Sequence, residues 1–207
     1  MGERQEFFNR RLHSLLGVIP IGIFLVQHLI VNHFAVYGEE SFNKAAGFME
    51  GLPFRLLLET VVIYLPILFH AILGVYIALW IPRNNMGNYS FFRNWMFYLQ
   101  RITGIITLIF IAWHVWQTRV QVALGTVEVN YQLMEDILSS PAMFWFYIVG
   151  VISTTFHFAN GLWGFSVTWG ITQSPRSQKI LTYVTLIVFL AISYIGVRTL
   201  IQFGYGV

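Results

Sequence analysis

The sequence predicts an all-α integral membrane protein, a bundle of about five transmembrane helices. Three observations carry that expectation. Hydrophobic residues make up 57% of the 207 and charged residues only 10%, against roughly 25% charged in soluble domains, and mean hydropathy is +0.65. The apolar residues gather into five runs of spanning length. His28, His70, His114 and His157 each lie inside a different one of these runs. An ionisable ring in hydrocarbon is disfavoured by roughly a few kcal/mol unless it has a partner, so one histidine per helix, four times over, points to function.

The first run covers about 14–36, between the charged MGERQEFFNRR segment and the polar Gly38-Glu39-Glu40-Ser41. Arg4, Arg10 and Arg11 precede it with no small-residue cleavage pattern behind, so it reads as a retained helix rather than a cleaved signal. The second covers about 56–81 and closes at Pro82-Arg83-Asn84-Asn85; the third covers about 98–118 and closes at Arg119. A polar, acidic connection with Glu128, Glu135 and Asp136 follows. The fourth covers about 143–172, after Pro141, and Ser174-Pro175-Arg176 turns into the fifth, about 180–203. A helix is the only single segment that satisfies its own backbone in lipid. Residues 1–207 thus form one membrane-anchor domain with no soluble domain left over.

Charge sets the orientation. Arg4, Arg10, Arg11, Arg83, Arg93, Arg101, Arg176 and Lys179 fall on one side. Lys44, Arg55, Arg119 and Arg198 fall on the other, with seven of the nine acids. The positive-inside bias predicts the N-terminus in the cytoplasm and the C-terminus outside. The net charge of +3 is spread over loops, which excludes a nucleic-acid-binding surface.

Cysteine is absent, so there is no C-x-x-C-H attachment site and no thiolate ligand; a haem here is non-covalent and held by histidine. At 1.5 Å per residue, His28 and His114 sit roughly 6 Å outside their span midpoints, and His70 and His157 roughly 2 Å toward the cytoplasm. Equal depth pairs His28 with His114 and His70 with His157. The bundle is therefore expected to hold two b haems, each between two imidazoles, one nearer each surface. Gly74 and Gly161 follow His70 and His157 by four residues, on the ligand's own helix face, where a flat macrocycle can lie close. Close helix packing is the alternative use of such small residues.

Arg10, Arg11, His13 and Ser14 cluster where the first span enters the membrane, and Arg93, Gln100, Arg101 and Thr103 where the third does. They are candidates for haem propionates or a quinone headgroup, because arginine offers a fork of donors and stays charged. Of the arginines, Arg101 is set deepest. The alternative is a snorkelling, positive-inside anchor. His13 lies at the interface. His33 is five residues from His28, about 140° around the helix, so the two cannot face one iron. His33 is read as an interfacial polar residue, or as a proton-transfer group near an outer quinone. Trp80, Trp95, Trp113, Trp116 and Trp169 stand near span ends, as an aromatic belt does.

The segments RRLHSLLGVIPIGIFLVQHLIVNHF, LPFRLLLETVVIYLPILFHAILGVY, FFRNWMFYLQRITGIITLIFIAWHVW, SPAMFWFYIVGVISTTFHFANGLWGFSVTWGIT and PRSQKILTYVTL resemble the di-haem cytochrome b subunit of succinate dehydrogenase. The likeness is to its five-helix, menaquinone-type form from Gram-positive bacteria, within the fumarate reductase cytochrome b superfamily, and it covers nearly the whole chain. It implies a membrane anchor that binds a flavoprotein with FAD and an iron-sulfur subunit on the cytoplasmic face, and leaves room for a higher oligomer. Electrons from succinate would then pass through an inner haem and an outer haem to menaquinone. The family's axial positions map to His70 and His157 for the inner, higher-potential haem and to His28 and His114 for the outer. Its quinone site near the outer haem maps to the connection between the first two spans, with His33 and Glu50 as candidates.

One departure matters: 150–164 contains no carboxylate, so the membrane-embedded glutamate proton path of related di-haem fumarate reductases is not expected. The chain would not act on succinate itself, since dicarboxylate chemistry needs a flavin and an aqueous polar pocket; it is expected to be one subunit of an oxidoreductase complex. Two alternatives remain at the level of sequence. One is the cytochrome b anchor of another respiratory complex, such as fumarate reductase, a hydrogenase or formate dehydrogenase. The other is a transporter using histidines for protons or metal, which the near absence of acids from the spans opposes.

Overall fold

The computed structural model describes residues 2–80 and 91–206. The Pro82-Arg83-Asn84-Asn85 turn lies outside the described residues. Among those described, every regular element is helical, and five segments are long and apolar enough to cross a membrane. They are α1 (Glu3–Tyr37), α3 (Arg55–Trp80), α4 (Phe92–Ala123), α6 (Pro141–Thr168) and α7 (Pro175–Tyr205). Two short helices join them at the end of the bundle away from the N-terminus, the end that the arginine and lysine bias predicts to be outer: α2 (Glu39–Glu50) and α5 (Tyr131–Leu138). The spanning helices extend past their apolar runs because intrahelical hydrogen bonding continues into the interfaces: α1 takes in the charged N-terminal segment, and α4 starts at Phe92.

Local chemistry places the breaks. Pro20 has no N–H, and α1 is interrupted at Ile19, where a proline inside a helix removes one ladder bond. The helix then tightens over Phe34–Tyr37 and stops at Gly38, whose φ of 102° suits a residue without a Cβ. Helices α6 and α7 both start with proline at the first turn, and α7 carries a Ser174–Ser177 capping box. Wide π turns occur in α3 at Glu59–Tyr64 and in α4 at Trp116–Val120.

Helix α6 is the axis of the bundle, packing on α4, α7 and the first half of α1, while α1 also packs on α3. Helix α7 closes over α6 and the second half of α1. Small residues allow the approach, as lipid-embedded interfaces require. Gly150 lies against the Phe110 ring, and a Cβ on Gly196 would stand 2.6 Å from Val151. Buried Thr155 hydrogen-bonds Ser193 across α6 and α7 at 2.7 Å. The densest apolar core sits at the outer end, where Phe42 and Ala46 of α2 and Met134 and Leu138 of α5 cap α6 and α7 through Phe144 and Phe203. Elsewhere a few apolar side chains such as Leu29, Ala159 and Ile192 are buried between helices, while Ile23, Leu68, Ile72 and Ile187 are exposed, as on a lipid-facing surface.

Candidate functional site

The bundle brings the four span histidines together two by two. His70 of α3 faces His157 of α6 with ring centroids 6.1 Å apart and planes at 90°. His28 of α1 faces His114 of α4 at 5.9 Å and 74°. With imidazole-to-metal bonds of about 2 Å, two rings on opposite sides of one metal ion have centroids roughly 6 Å apart. Each pair matches that spacing. Each pair could therefore hold the iron of a haem b between its two imidazoles.

Main-chain partners fix the inner rings. The Nδ1–H of His70 donates to the carbonyl of His13 at 2.9 Å, and the Nδ1–H of His157 to the carbonyl of Gln100 at 3.0 Å. A carbonyl only accepts, so the proton sits on Nδ1 in both rings and Nε2 carries the lone pair that a metal would use; that of His157 lies 3.5 Å from the Gln100 amide nitrogen. A glycine lies under each ring. A Cβ on Gly17 would stand 2.5 Å from Cε1 of His70, and one on Gly104 would stand 2.9 Å from Cε1 of His157.

The arrangement is built twice. In both halves the anchoring carbonyl precedes its histidine by 57 residues. Gln100, Gly104, His157 and Gly161 repeat His13, Gly17, His70 and Gly74 at one constant offset. The second glycines keep the repeat: a Cβ on Gly74 would stand 3.2 Å from Nε2 of His13, and one on Gly161 would stand 3.3 Å from Nε2 of Gln100. The His13 ring stacks on His70 at 3.9 Å, and its buried Nε2 has no hydrogen-bond partner within the protein. Gln100 is fully engaged, donating to the His157 carbonyl at 3.0 Å and accepting from Asn160 at 2.7 Å. An orphaned buried nitrogen beside a residue that lacks a side chain fits a bound group at the inner level.

The outer rings are held by side chains instead. The Nδ1–H of His114 donates to the hydroxyl of Tyr147 at 3.2 Å, and that hydroxyl donates to Oε1 of Gln117 at 3.2 Å. Asn32 donates to the carbonyl of His28 at 2.8 Å, with its amide over the His28 ring.

The other expected site residues are dispersed. Arg11 donates to the Thr168 carbonyl at 3.2 Å at the C-terminal end of α6 and lies over Phe7 and Trp169. Ser14 accepts from the Trp169 indole at 3.1 Å. The Arg93 guanidinium stacks on Trp163 at 3.6 Å and donates to Thr182, so it tethers α4 to α6 and α7. Arg101 stacks on Phe97 at 4.5 Å. His33 donates through Nδ1 to Thr199 of α7 at 3.0 Å, the Thr199 hydroxyl proton being committed to the Ile195 carbonyl. Glu50 pairs with Arg55 and, at 3.4 Å, with Arg119.

Arg119 also binds both oxygens of Glu59, at 2.8 and 3.0 Å. This four-charge cluster, only partly exposed, links the connection after α2 to the π turns of α3 and α4. Removing Arg119 leaves two carboxylates on one remaining cation. Arg119→Met is expected to destabilise the bundle by about 1–2 kcal/mol, below the value for a fully buried pair because water reaches the cluster. A thermal melt of the detergent-solubilised protein reads this; an unchanged midpoint would show that solvent already screens the pair.

Two comparisons bear on this geometry. Residues 82–197 match the succinate dehydrogenase/fumarate reductase transmembrane subunit family. The chain is also 62% identical, over 203 residues, to the succinate dehydrogenase cytochrome b558 subunit of Bacillus subtilis (strain 168), covering 98% of this chain and 100% of the relative. The chain belongs to the succinate dehydrogenase/fumarate reductase transmembrane subunit family. Membership agrees with the all-helical, five-span architecture and with the resemblance borne by the five sequence segments. Within that family assignment, sequence reasoning missed Gly17, Gly104 and Tyr147. The repeat of glycine four residues after His13 and after Gln100 was the available signal for the first two.

Proposed function

We propose that the chain is the di-haem cytochrome b anchor of a succinate:menaquinone oxidoreductase. It joins a flavoprotein bearing FAD and an iron-sulfur subunit at the cytoplasmic face and delivers their electrons to menaquinone nearer the outer face of a bacterial cytoplasmic membrane. The observation that carries the reading is the pair of facing imidazole couples, 6.1 and 5.9 Å apart, at two levels of one bundle. Each bound haem b supplies a one-electron ferric/ferrous couple. His70 and His157 would hold the inner group and His28 and His114 the outer, His70, His157 and His114 through Nε2. His13 Nε2, without a partner within the protein, is available for a hydrogen bond at the inner level, with Arg11, Ser14, Arg93 and Arg101 lining the inner end and Gly74 and Gly161 leaving room. At the outer end, Glu50 lies in the charge cluster with Arg119, five residues past His114, and is the stronger quinone candidate of the two; His33 is tied to α7.

The test is a reduced-minus-oxidised spectrum with a redox titration of the purified, assembled complex. The expected result is two low-spin b components, co-purifying with a flavoprotein. A single component, or a colourless protein, overturns the reading.

A further inference from the structure

The two histidine levels differ in a way that the pairing alone does not require. At the inner level both ligand rings are oriented by main-chain carbonyls, which no side-chain substitution removes. At the outer level His114 is oriented by a side chain, the hydroxyl of Tyr147, which is 1% exposed and packs edge-on to Phe110 with centroids 5.2 Å apart. The Tyr147 proton is committed to Oε1 of Gln117, so its oxygen is an acceptor toward His114 and the tautomer of that ring is set. We infer that Tyr147, backed by Gln117, is a positioning residue for the outer ligand His114 and sets the reduction potential of the outer group independently of the inner one.

The inference rests on the bis-histidine reading above. An acceptor on Nδ1–H makes the ring a more basic ligand and favours the ferric state, so removing it favours the ferrous state and raises the potential. Tyr147→Phe keeps the ring and its contact with Phe110 while deleting the acceptor. It also removes the one recorded partner of His114 Nδ1 and the donor to Gln117 Oε1.

The experiment is a potentiometric titration of the whole complex, resolved by component, with the low-spin electron paramagnetic resonance signal read in parallel. Tyr147→Phe is expected to raise the outer component, changing its ferric-to-ferrous ratio at fixed ambient potential roughly tenfold, which is 59 mV for one electron, and to alter its resonance signal. The inner component stays in place and reports that the protein has folded. Gln117→Leu, which frees the Tyr147 hydroxyl proton, is expected to move the outer component the same way by less. An outer component that does not move in Tyr147→Phe overturns the inference, and so does an equal shift or loss of both components. A parent protein with only one b component brings down the underlying reading and the inference with it.

Discussion

Replacing His70 by alanine is expected to abolish the inner b component while the outer one survives, and His157→Ala is expected to abolish the same component. The two rings face each other at 6.1 Å, so either loss would leave a metal held between them with one imidazole instead of two. His28→Ala and His114→Ala are expected to act alike on the outer component. Quinone reductase activity of the complex should fall in all four variants by more than the roughly 10–100-fold that follows loss of a supporting partner, because an axial ligand itself is gone. The double variant His70→Ala/His157→Ala should be no worse than either single one, as expected of residues acting as a unit. Component-resolved spectra decide the matter: loss of one and the same component in His28→Ala and His70→Ala would refute the assignment of the pairs to two sites.

The pairing was legible in the sequence because depth follows from counting residues along helices whose direction alternates, and an imidazole in an apolar run stands out. The helical class was legible for the same reason, since five apolar runs admit few other structures. What holds the rings was not. A main-chain carbonyl has no side-chain signature, and Gly17 and Gly104 look like ordinary packing residues until their rings are placed over them. Tyr147 is one of many aromatics in its span, and only geometry shows its hydroxyl between His114 and Gln117.

The short helices α2 and α5 read as polar connections because their charged residues, Glu39, Glu40, Lys44 and Glu50 in one and Glu135 and Asp136 in the other, break the apolar residues into runs far too short to span. Phe42 with Ala46, and Met134 with Leu138, are spaced four apart and are the residues that become buried. Asn130 also announces α5, its side chain accepting from the Leu133 N–H at 2.9 Å. The ion cluster had a partial signal in Glu59, near a span end. Its partner Arg119 lies 60 residues away and meets it through two π turns that composition does not reveal.

Glycine-to-alanine changes should separate the residues that seat the ligand rings from those that leave room beside them. In Gly17→Ala the new Cβ would stand 2.5 Å from Cε1 and 2.9 Å from Nδ1 of His70. That ring is pinned by the His13 carbonyl on one side and stacked on the His13 ring at 3.9 Å, so it cannot retreat without losing its anchor. In Gly104→Ala the corresponding approaches to His157 are 2.9 and 3.2 Å, a milder conflict. Overpacking of this kind costs about 1–3 kcal/mol and here falls on the ring that must present Nε2. Gly17→Ala is therefore expected to lose most of the inner component, and Gly104→Ala a smaller part. Gly74→Ala and Gly161→Ala meet the side chains of His13 and Gln100, at 3.2 and 3.3 Å, and not the ligand rings themselves, so the smaller effect on ring pairing is expected there. Haem-to-protein ratios of the four variants, with the outer component as internal standard, give the order. If Gly74→Ala and Gly161→Ala lost more of the inner component than Gly17→Ala, crowding of the bound group itself, rather than displacement of its ligands, would be the governing constraint at this level.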